Sequence, residues 1–390
     1  MKYLSILAGF VCLIAADKLL IAEPAVDFDG IAKANNAFAL DLYGCISPKN
    51  GNFVFSPFSI NTVLSMTSAG ARGETARQMA SVLHLSQENT NVPADFGAFI
   101  TSLVPRNELE CQCVVANSLW AQAGYPFLPA FQKLVESQFG GTINQIDLTG
   151  WPKSFDPTIA AAARKRINEW VTDKTRGKIQ EILPAKYPSP NTRLILANAV
   201  YFKGFWREAF ERQLTRNDLF FISPKESIPV PTMHQAGPFQ FAENDKIKAL
   251  ELPYIDHHFS MLFMLPKAGH NLAETEQSLA VARIGELHLD WNMVSLNISI
   301  PKFQIESQFD LKQPLSGMGM GDAFNETVAD FSCITRAKPF FIEDVLHKAY
   351  VKIDEDGTEA AASTLGMMTD SVREQTEKNF KLDHPFILLI

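Results

Sequence analysis

Apolar residues recur at helical spacing over residues 30–48, where Ile31, Ala34, Phe38, Leu40, Leu42 and Tyr43 form one stripe. Ser56 followed by Pro57 marks the start of a second helix over 57–69, a capping hydroxyl and then a proline in the first turn. Further helices are predicted over 75–83, 127–138 and 160–174. The period then changes. Residues 193–202 form a nearly continuous apolar run, as a strand buried on both faces requires. Val114, Val115, Leu119 and Trp120 give strand character to 113–120, and strand patterns dominate 219–263 and 293–305. A short run at 349–353 and a final strand over 380–390 complete the pattern. Segment 148–162, with Gly150, Pro152 and Pro157, reads as an extended surface connection. Helices early and strands late predict one large α+β domain.

Composition narrows the class. Of 390 residues, 46% are apolar and 20% charged, which excludes a disordered or collagen-like chain. A net charge of −8 argues against a nucleic-acid or anionic-membrane partner, which would call for a basic surplus. Lys2, the apolar run 4–16 and then Asp17-Lys18 read as a secretory signal peptide over 1–16, cleaved after Ala16, with a single domain over 17–390. The run is shorter than the ~20 apolar residues of a membrane-spanning helix. Cys12 leaves with the leader. Cys45, Cys111, Cys113 and Cys333 remain, and three disulfide pairings are open to them, the Cys111–Cys113 ring being strained. Asn297-Ile298-Ser299 and Asn325-Glu326-Thr327 are N-glycosylation triplets, Asn297 within a predicted strand.

A search for catalytic chemistry finds no constellation. There is no nucleophile elbow, no zinc-binding His-Glu-x-x-His and no phosphate loop. His257 and His258 are adjacent, so on a strand they face opposite ways. Nothing in the sequence brings Cys45 to His84. The Gly317, Gly319, Gly321 run lacks the spacing of a phosphate loop, and Asp322 and Asp330 would repel a phosphate. The reading is a protein that is not an enzyme, with no metal and no cofactor.

One segment stands apart. Between Ile353 and Phe386 lie 32 residues with little helical or core patterning, long for a connection without a function. Within it Thr358, Ala360, Ala362, Thr364, Gly366 and Met368 alternate as small or apolar residues, as an inward strand face needs. Glu359, Ala361, Ser363 and Thr369 fall on the other face. The segment is a loop that could become a strand, with Gly357 free to act as its hinge.

Here the chain resembles the serpins over about 28–390. The resemblance rests on four stretches: Asn-Phe-Val-Phe-Ser-Pro-Phe-Ser-Ile at 52–60, Asn-Ala-Val-Tyr-Phe-Lys-Gly-Phe-Trp at 198–206, Leu-Glu-Leu-Pro-Tyr at 250–254, and the hinge. Leu-His-Lys-Ala at 346–349 and His-Pro-Phe at 384–386 agree, and the flavour is that of secreted arthropod serpins such as those of tick saliva. The resemblance implies a central, mostly antiparallel sheet, two further sheets, eight to nine helices and an exposed reactive-centre loop at about 355–380. It implies a secreted suicide inhibitor of serine proteases: the protease cleaves the loop and is trapped as an acyl-enzyme when the loop inserts into the central sheet. No catalytic group is needed for that.

By the same resemblance Glu355 sits at the base of the loop with Lys302 as its charge partner. Gly357, Thr358 and Glu359 match the hinge, and Ala360, Ala361, Ala362 and Ser363 the small-residue stretch of inhibitory members. Ser56, Ser59, Asn198 and His347 match a polar cluster where strands part, and Trp206 the top of the sheet where insertion starts. Family counting puts the scissile bond at Ser371-Val372, suited to an elastase-like protease. Asp370 would suit an acid-specific protease, and Arg373 a trypsin-like one. Gly366 and Asp370 are awkward in an inserting strand. The family continues past the position of Ile390 through another buried strand, so the neighbouring strand is expected to present an open edge. Residues 95–106 hold almost no basic side chain, so no heparin activation is expected there. The Arg164-Lys165-Arg166 cluster reads as a solvated helix face. A monomer is expected. The alternatives are a non-inhibitory carrier, which Ala360–Ser363 disfavours, and an inactive truncated product.

Overall fold

The computed structural model describes residues 7–9, 26–48, 51–86, 92–102, 111–150, 153–255, 259–282, 289–358 and 378–390, except the side chains of 7–9, 111–113 and 280–282. Strand β1 (Leu7–Gly9) precedes helix α1 (Phe28–Ile46), β2 (Phe53–Phe55), α2 (Pro57–Ser68), α3 (Gly73–Val82) and α4 (Val92–Ser102). Then come β3 (Cys111–Gln122), α5 (Pro129–Phe139), β4 (Thr142–Ile146), α6 (Pro157–Lys174) and β5 (Leu194–Phe205). The strand-rich half comprises β6 (Arg216–Ser223), β7 (Glu226–Glu243), β8 (Ile247–Pro253) and β9 (Ser260–Pro266). After α7 (Leu272–Ala282) follow β10 (Asn292–Pro301), β11 (Phe303–Asp310) and the short α8 (Lys312–Leu315). The chain closes with β12 (Asp344–Asp354), β13 (Gly357–Thr358), β14 (Lys378–Lys381) and β15 (Ile387–Leu389).

These strands make two sheets. The central one has the order β11-β12-β13-β5-β3-β4, with β12 also paired directly to β5. The other runs β14-β10-β7-β8-β9-β15-β1-β2, with β6 on β7. The long β7 pairs with β6 over residues 226–232, with β10 over 232–241 and with β8 over 240–243, which joins the two further sheets expected from the resemblance.

Three apolar cores follow from the alternation of side chains. One face of the central sheet packs on α1, α2 and α3 through Phe38, Ile60, Met79, Leu196 and Val345. Between the sheets lie Phe202, Trp206, Phe263, Ile353 and Phe386. The opposite face of the central sheet is covered by α6, whose Ile167 and Val171 meet Ile195, Ala197 and Leu346. Every residue of β5 from Leu194 to Phe202 is therefore buried, which is why its sequence shows no alternation.

Several expectations change. The final strand over 380–390 is two strands, β14 and β15, broken at 382–386. The Leu382 N–H makes the last bond of β14 to β10, to Ser299 O at 2.9 Å, and Pro385 has no N–H to carry a ladder on. Segment 148–162 is not extended throughout: Asp156 accepts from the Thr158 and Ile159 N–H groups and starts α6 at Pro157. The patterning also missed α4 and α7. The first carries Pro93 and Gly97, and the second opens on a polar stretch. The edge expected to lie open beside β15 is paired by β1, parallel to both β15 and β2, from residues read as leader. Cys45 and Cys333 carry free thiols, so no bridge joins them.

Candidate functional site

The candidate site is the seam between β5 and β12. The two strands run parallel and pair directly over seven rungs, from Asp344 opposite Ile195 to Tyr350 opposite Tyr201. Above Tyr350 the seam opens and β13 lies between them. Thr358 pairs with Ile353 on one side and Gly204 on the other, and Gly357 with Asp354 and Phe205, antiparallel to both strands. The base of the candidate loop thus already occupies the upper end of the seam.

Local chemistry holds this wedge. Gly357 has φ +152°, and a Cβ there would fall 2.0 Å from the Gly204 carbonyl oxygen, so only glycine fits. Thr358 is fully buried, with its hydroxyl 2.6 Å from that of Tyr254. Tyr254 stacks on Trp206 at 4.7 Å, and the Trp206 indole N–H donates to the Asp354 carbonyl at 3.0 Å. Glu355 is 3% exposed, yet its carboxylate takes Lys302 Nζ at 2.7 and 2.9 Å and the Thr215 hydroxyl at 2.8 Å. Burial opposes the charge, but these hydrogen bonds win and hold the Glu355 carboxyl below the usual range.

Midway down, on the face toward α2, four predicted polar residues meet. The Ser56 N–H donates to His347 Nε2 at 3.0 Å, and the Ser56 hydroxyl accepts from the Ser59 N–H at 3.3 Å. Because Nε2 accepts, the ring proton is on Nδ1, which donates to Asn198 Oδ1. The Asn198 amide then donates to the Ser59 hydroxyl and to Asn117 Oδ1. Complete burial pushes His347 down to about 3, so the ring is neutral at physiological pH. The network is satisfied but brittle: a buried donor left without a partner costs about 1–3 kcal/mol.

The expected Glu355–Lys302 pair and the Ser56, Ser59, Asn198, His347 cluster are thus brought together, with Trp206 at the top of the seam. Glu359, Ala360, Ala361, Ala362, Ser363, Asp370, Ser371, Val372 and Arg373 lie outside the described residues, as do His257 and His258. Asn325 is exposed in a turn, its Oδ1 accepting from the Thr327 N–H at 2.9 Å and the Thr327 hydroxyl at 2.8 Å. Asn297 sits half-buried within β10. His84 pairs with Asp41 at 2.7 Å. Arg164 is drawn from its basic cluster to the carbonyls of Ala185 and Tyr187, at 3.2 and 3.4 Å. Sequence reasoning missed Asn117, Tyr254 and Thr215. A polar Asn117 inside an apolar strand was the available signal, and it faces Asn198 in register. Among the described residues no group of His, Cys, Asp or Glu could hold a metal, and no helix is long and apolar enough to cross a membrane.

Comparison with known proteins agrees with this architecture. The family described as serpin (serine protease inhibitor) matches residues 33–390. An uncharacterized serpin-like protein of Thermococcus kodakarensis is 38% identical over 362 residues, covering 92% of this chain and 82% of its own. The leukocyte elastase inhibitor of Homo sapiens is 33% identical over 370 residues, covering 92% of this chain and 95% of its own. The crystal structure of Serpin48 from the insect Tenebrio molitor superposes with a TM-score of 0.82 at 28% identity, over 93% of this chain and 95% of that one. With the strand order, the wedge at the seam and these likenesses in agreement, the chain belongs to the serpin family of serine protease inhibitors.

Proposed function

We propose that the protein is a secreted, suicide-type inhibitor of serine endopeptidases and has no catalytic activity of its own. The observation that carries this reading is β13, two residues of loop base already paired to both sides of a seam that is closed below them. A strand carried on from β13 in unbroken antiparallel register would set Thr364 between His347 and Asn198, and Met367 between Asp344 and Ile195. Ten residues, Thr358 to Met367, would then separate all seven direct rungs. Their alternate members Ala360, Ala362 and Thr364 would share the inward face of Thr358, where small side chains meet no steric bar. Each direct rung lost would be replaced by two antiparallel ones, so insertion is downhill once the mid-seam hydrogen bonds exchange partners. A protease acylated in the loop would be carried along and held.

The scissile bond in this reading is Ser371-Val372, with Asp370 or Arg373 as the residue before the bond in the alternative registers. The partner is an extracellular serine protease, elastase-like by the small Ser371. The human leukocyte elastase inhibitor, at 33% identity, supports that class. Export rests on residues 1–16, and the insect serpin supports the arthropod flavour. Removal of 1–16 also removes β1. N-terminal sequencing of the exported protein, with thermal melting of chains starting at Met1 and Asp17, measures what that strand contributes. The exposed Asn325 is the glycan acceptor.

The test uses the recombinant chain incubated with elastase, trypsin, chymotrypsin and granzyme B, followed by denaturing gels and mass spectrometry of the released peptide. A denaturant-stable complex with any of them is expected, and the peptide mass assigns the bond. Cleavage without a complex overturns trapping and favours the carrier reading.

A further inference from the structure

The lower end of the seam has its own chemistry, unrelated to the polar cluster above it. Asp344, the last residue of β12 to pair with β5, is fully buried on the face toward α6. The Tyr187 hydroxyl reaches the Asp344 carboxyl and lies 3.1 Å from Asp310 Oδ2 at the end of β11. Lys186 Nζ is 2.7 Å from the same Asp310 oxygen, and the Val345 N–H donates to Asp344 Oδ1 at 2.7 Å. Three pieces of chain therefore converge: the α6–β5 connection, the end of β11 and the start of β12. The connection is itself pinned to α6. Arg164 holds the Ala185 and Tyr187 carbonyls, and Asn168 Oδ1 accepts from the Ile182 and Leu183 N–H groups at 3.0 and 2.9 Å.

A proton count shows what such a cluster requires. The phenol has one hydrogen and can donate to only one of its two carboxyl neighbours. The other contact is a hydrogen bond only if a carboxyl group supplies a second hydrogen. Lys186 neutralises one carboxylate, and a second ionised carboxylate beside it would be a buried, uncompensated charge.

The geometry points to a latch: Lys186, Tyr187, Asp310 and Asp344 fasten the blind end of the seam while Asp344 keeps its proton, and loosen it when that proton leaves. Burial, joined by the neighbouring Asp310, pushes the Asp344 acid up to about 7. Burial opposes the charge on Asp310, but the hydrogen bonds from Lys186, the Asp344 acid and the Tyr187 hydroxyl outweigh it and hold this carboxyl below the usual range. An unfolded aspartate titrates near 3.9. Between that value and about 7 the folded chain holds a proton that the open one lacks. The latch therefore contributes in full below about pH 4, weakens steadily as pH rises toward 7 and contributes little above about 8. The other charged groups nearby are Glu343, which takes the Ser189 hydroxyl at 3.4 Å, Arg193 before β5, and the Lys348–Glu306 pair at 2.6 Å. His347, three residues along β12 on the opposite face, stays neutral throughout this window.

The consequence for inhibition rests on the reading proposed above, because placing Met367 at the last rung requires Asp344 to part from Ile195. The latch itself is tested without a protease. Amide hydrogen exchange of the whole chain, corrected for intrinsic rates, is followed in 344–350 and 187–196 between pH 5.5 and 8.5. Opening of these segments is expected to rise about tenfold or more between pH 5.5 and 8 in the parent chain. In Asp344→Asn, which cannot ionise, it should stay flat with pH. In Lys186→Met, a change at an exposed side chain that leaves the buried groups intact, the transition should move to higher pH, because the pair of carboxyls loses its cation. Parent exchange that does not vary with pH, or an unmoved transition in Lys186→Met, overturns the latch. Absence of a protease complex with the pH-dependent opening intact overturns only the inhibitory reading.

Discussion

The two ends of the β5–β12 seam solve opposite problems. The upper end is held open: β13 fills it, Gly357 permits the close approach to Gly204, and the Lys302–Glu355 pair anchors the loop base at the rim. The lower end is held shut by direct pairing and by a carboxyl–phenol–carboxyl chain, buried at Asp344 and Tyr187 and reaching the surface at Asp310, tied to the α6–β5 connection. At the top, a charge pair is complete and partly solvated, so its state is fixed at neutral pH. At the bottom, two carboxyls share one cation, so their state depends on one proton. The difference teaches where a sheet of this kind can be regulated. In the inhibitory reading proposed above, entry of the loop would be set by shape, and its completion by electrostatics.

The sharpest break of that contrast is at the wedge. Thr358→Arg puts a guanidinium at a fully buried position bonded to Tyr254. Burying that charge unpaired costs several kcal/mol. Complex yield with the target protease should fall at least tenfold while cleavage continues, read on denaturing gels. An unchanged complex yield would refute entry at β13.

Next in size is the middle of the seam. Asn198→Leu leaves the His347 Nδ1–H, the Ser59 hydroxyl and the Asn117 carbonyl without partners. A loss of about 2–4 kcal/mol is expected in denaturant unfolding. A loss below 1 kcal/mol would mean that water replaces the amide.

Lys302→Met is milder, about 1–2 kcal/mol, because Lys302 is one-third exposed. The Glu355 carboxyl lies below its ordinary value, so the stabilisation from this pair is present above the normal glutamate range and fades as pH falls through it. The acid limb of the stability curve should flatten in the variant. A limb of unchanged slope would assign acid sensitivity elsewhere. This limb falls toward acid, whereas the Asp344 contribution falls toward alkali, so one pH series separates the two ends.

The smallest effect is expected at the glycosylation triplets. In a secretory host, Asn325→Gln should remove one glycan by mass with no change in melting, and Asn297→Gln should remove none. A glycan on Asn297 would mean that β10 is accessible before it pairs.

Much of the seam was legible early because its signals are local. The Ser56-Pro57 cap, the unbroken apolar run of β5 and the glycine-threonine hinge each fix conformation within a few residues. The resemblance then supplied partners that no spacing could give, such as Lys302 for Glu355. The failures have physical causes. Asp156 looked like part of a loop until its side chain was seen to cap α6. The run over 380–390 read as one strand because apolar residues continue across Pro385, yet the missing N–H divides it. Asn117 went unremarked because its importance depends on facing Asn198 across a strand pair.

By itself the sequence determined where most of the helices and strands form, which residues are apolar enough to be inside, and that one long segment is neither core nor helix. Those properties follow from side-chain period and from the backbone preferences of Gly, Pro, Ser and Asp, which act over a few residues. Only the tertiary structure decided that this segment's first residues stand between β5 and β12, and that Tyr187 meets Asp310 and Asp344 across 123 and 157 residues of chain. Charge sharing and hydrogen-bond exchange depend on distances of a few ångströms in a dry interior, and such distances exist only after the chain has folded.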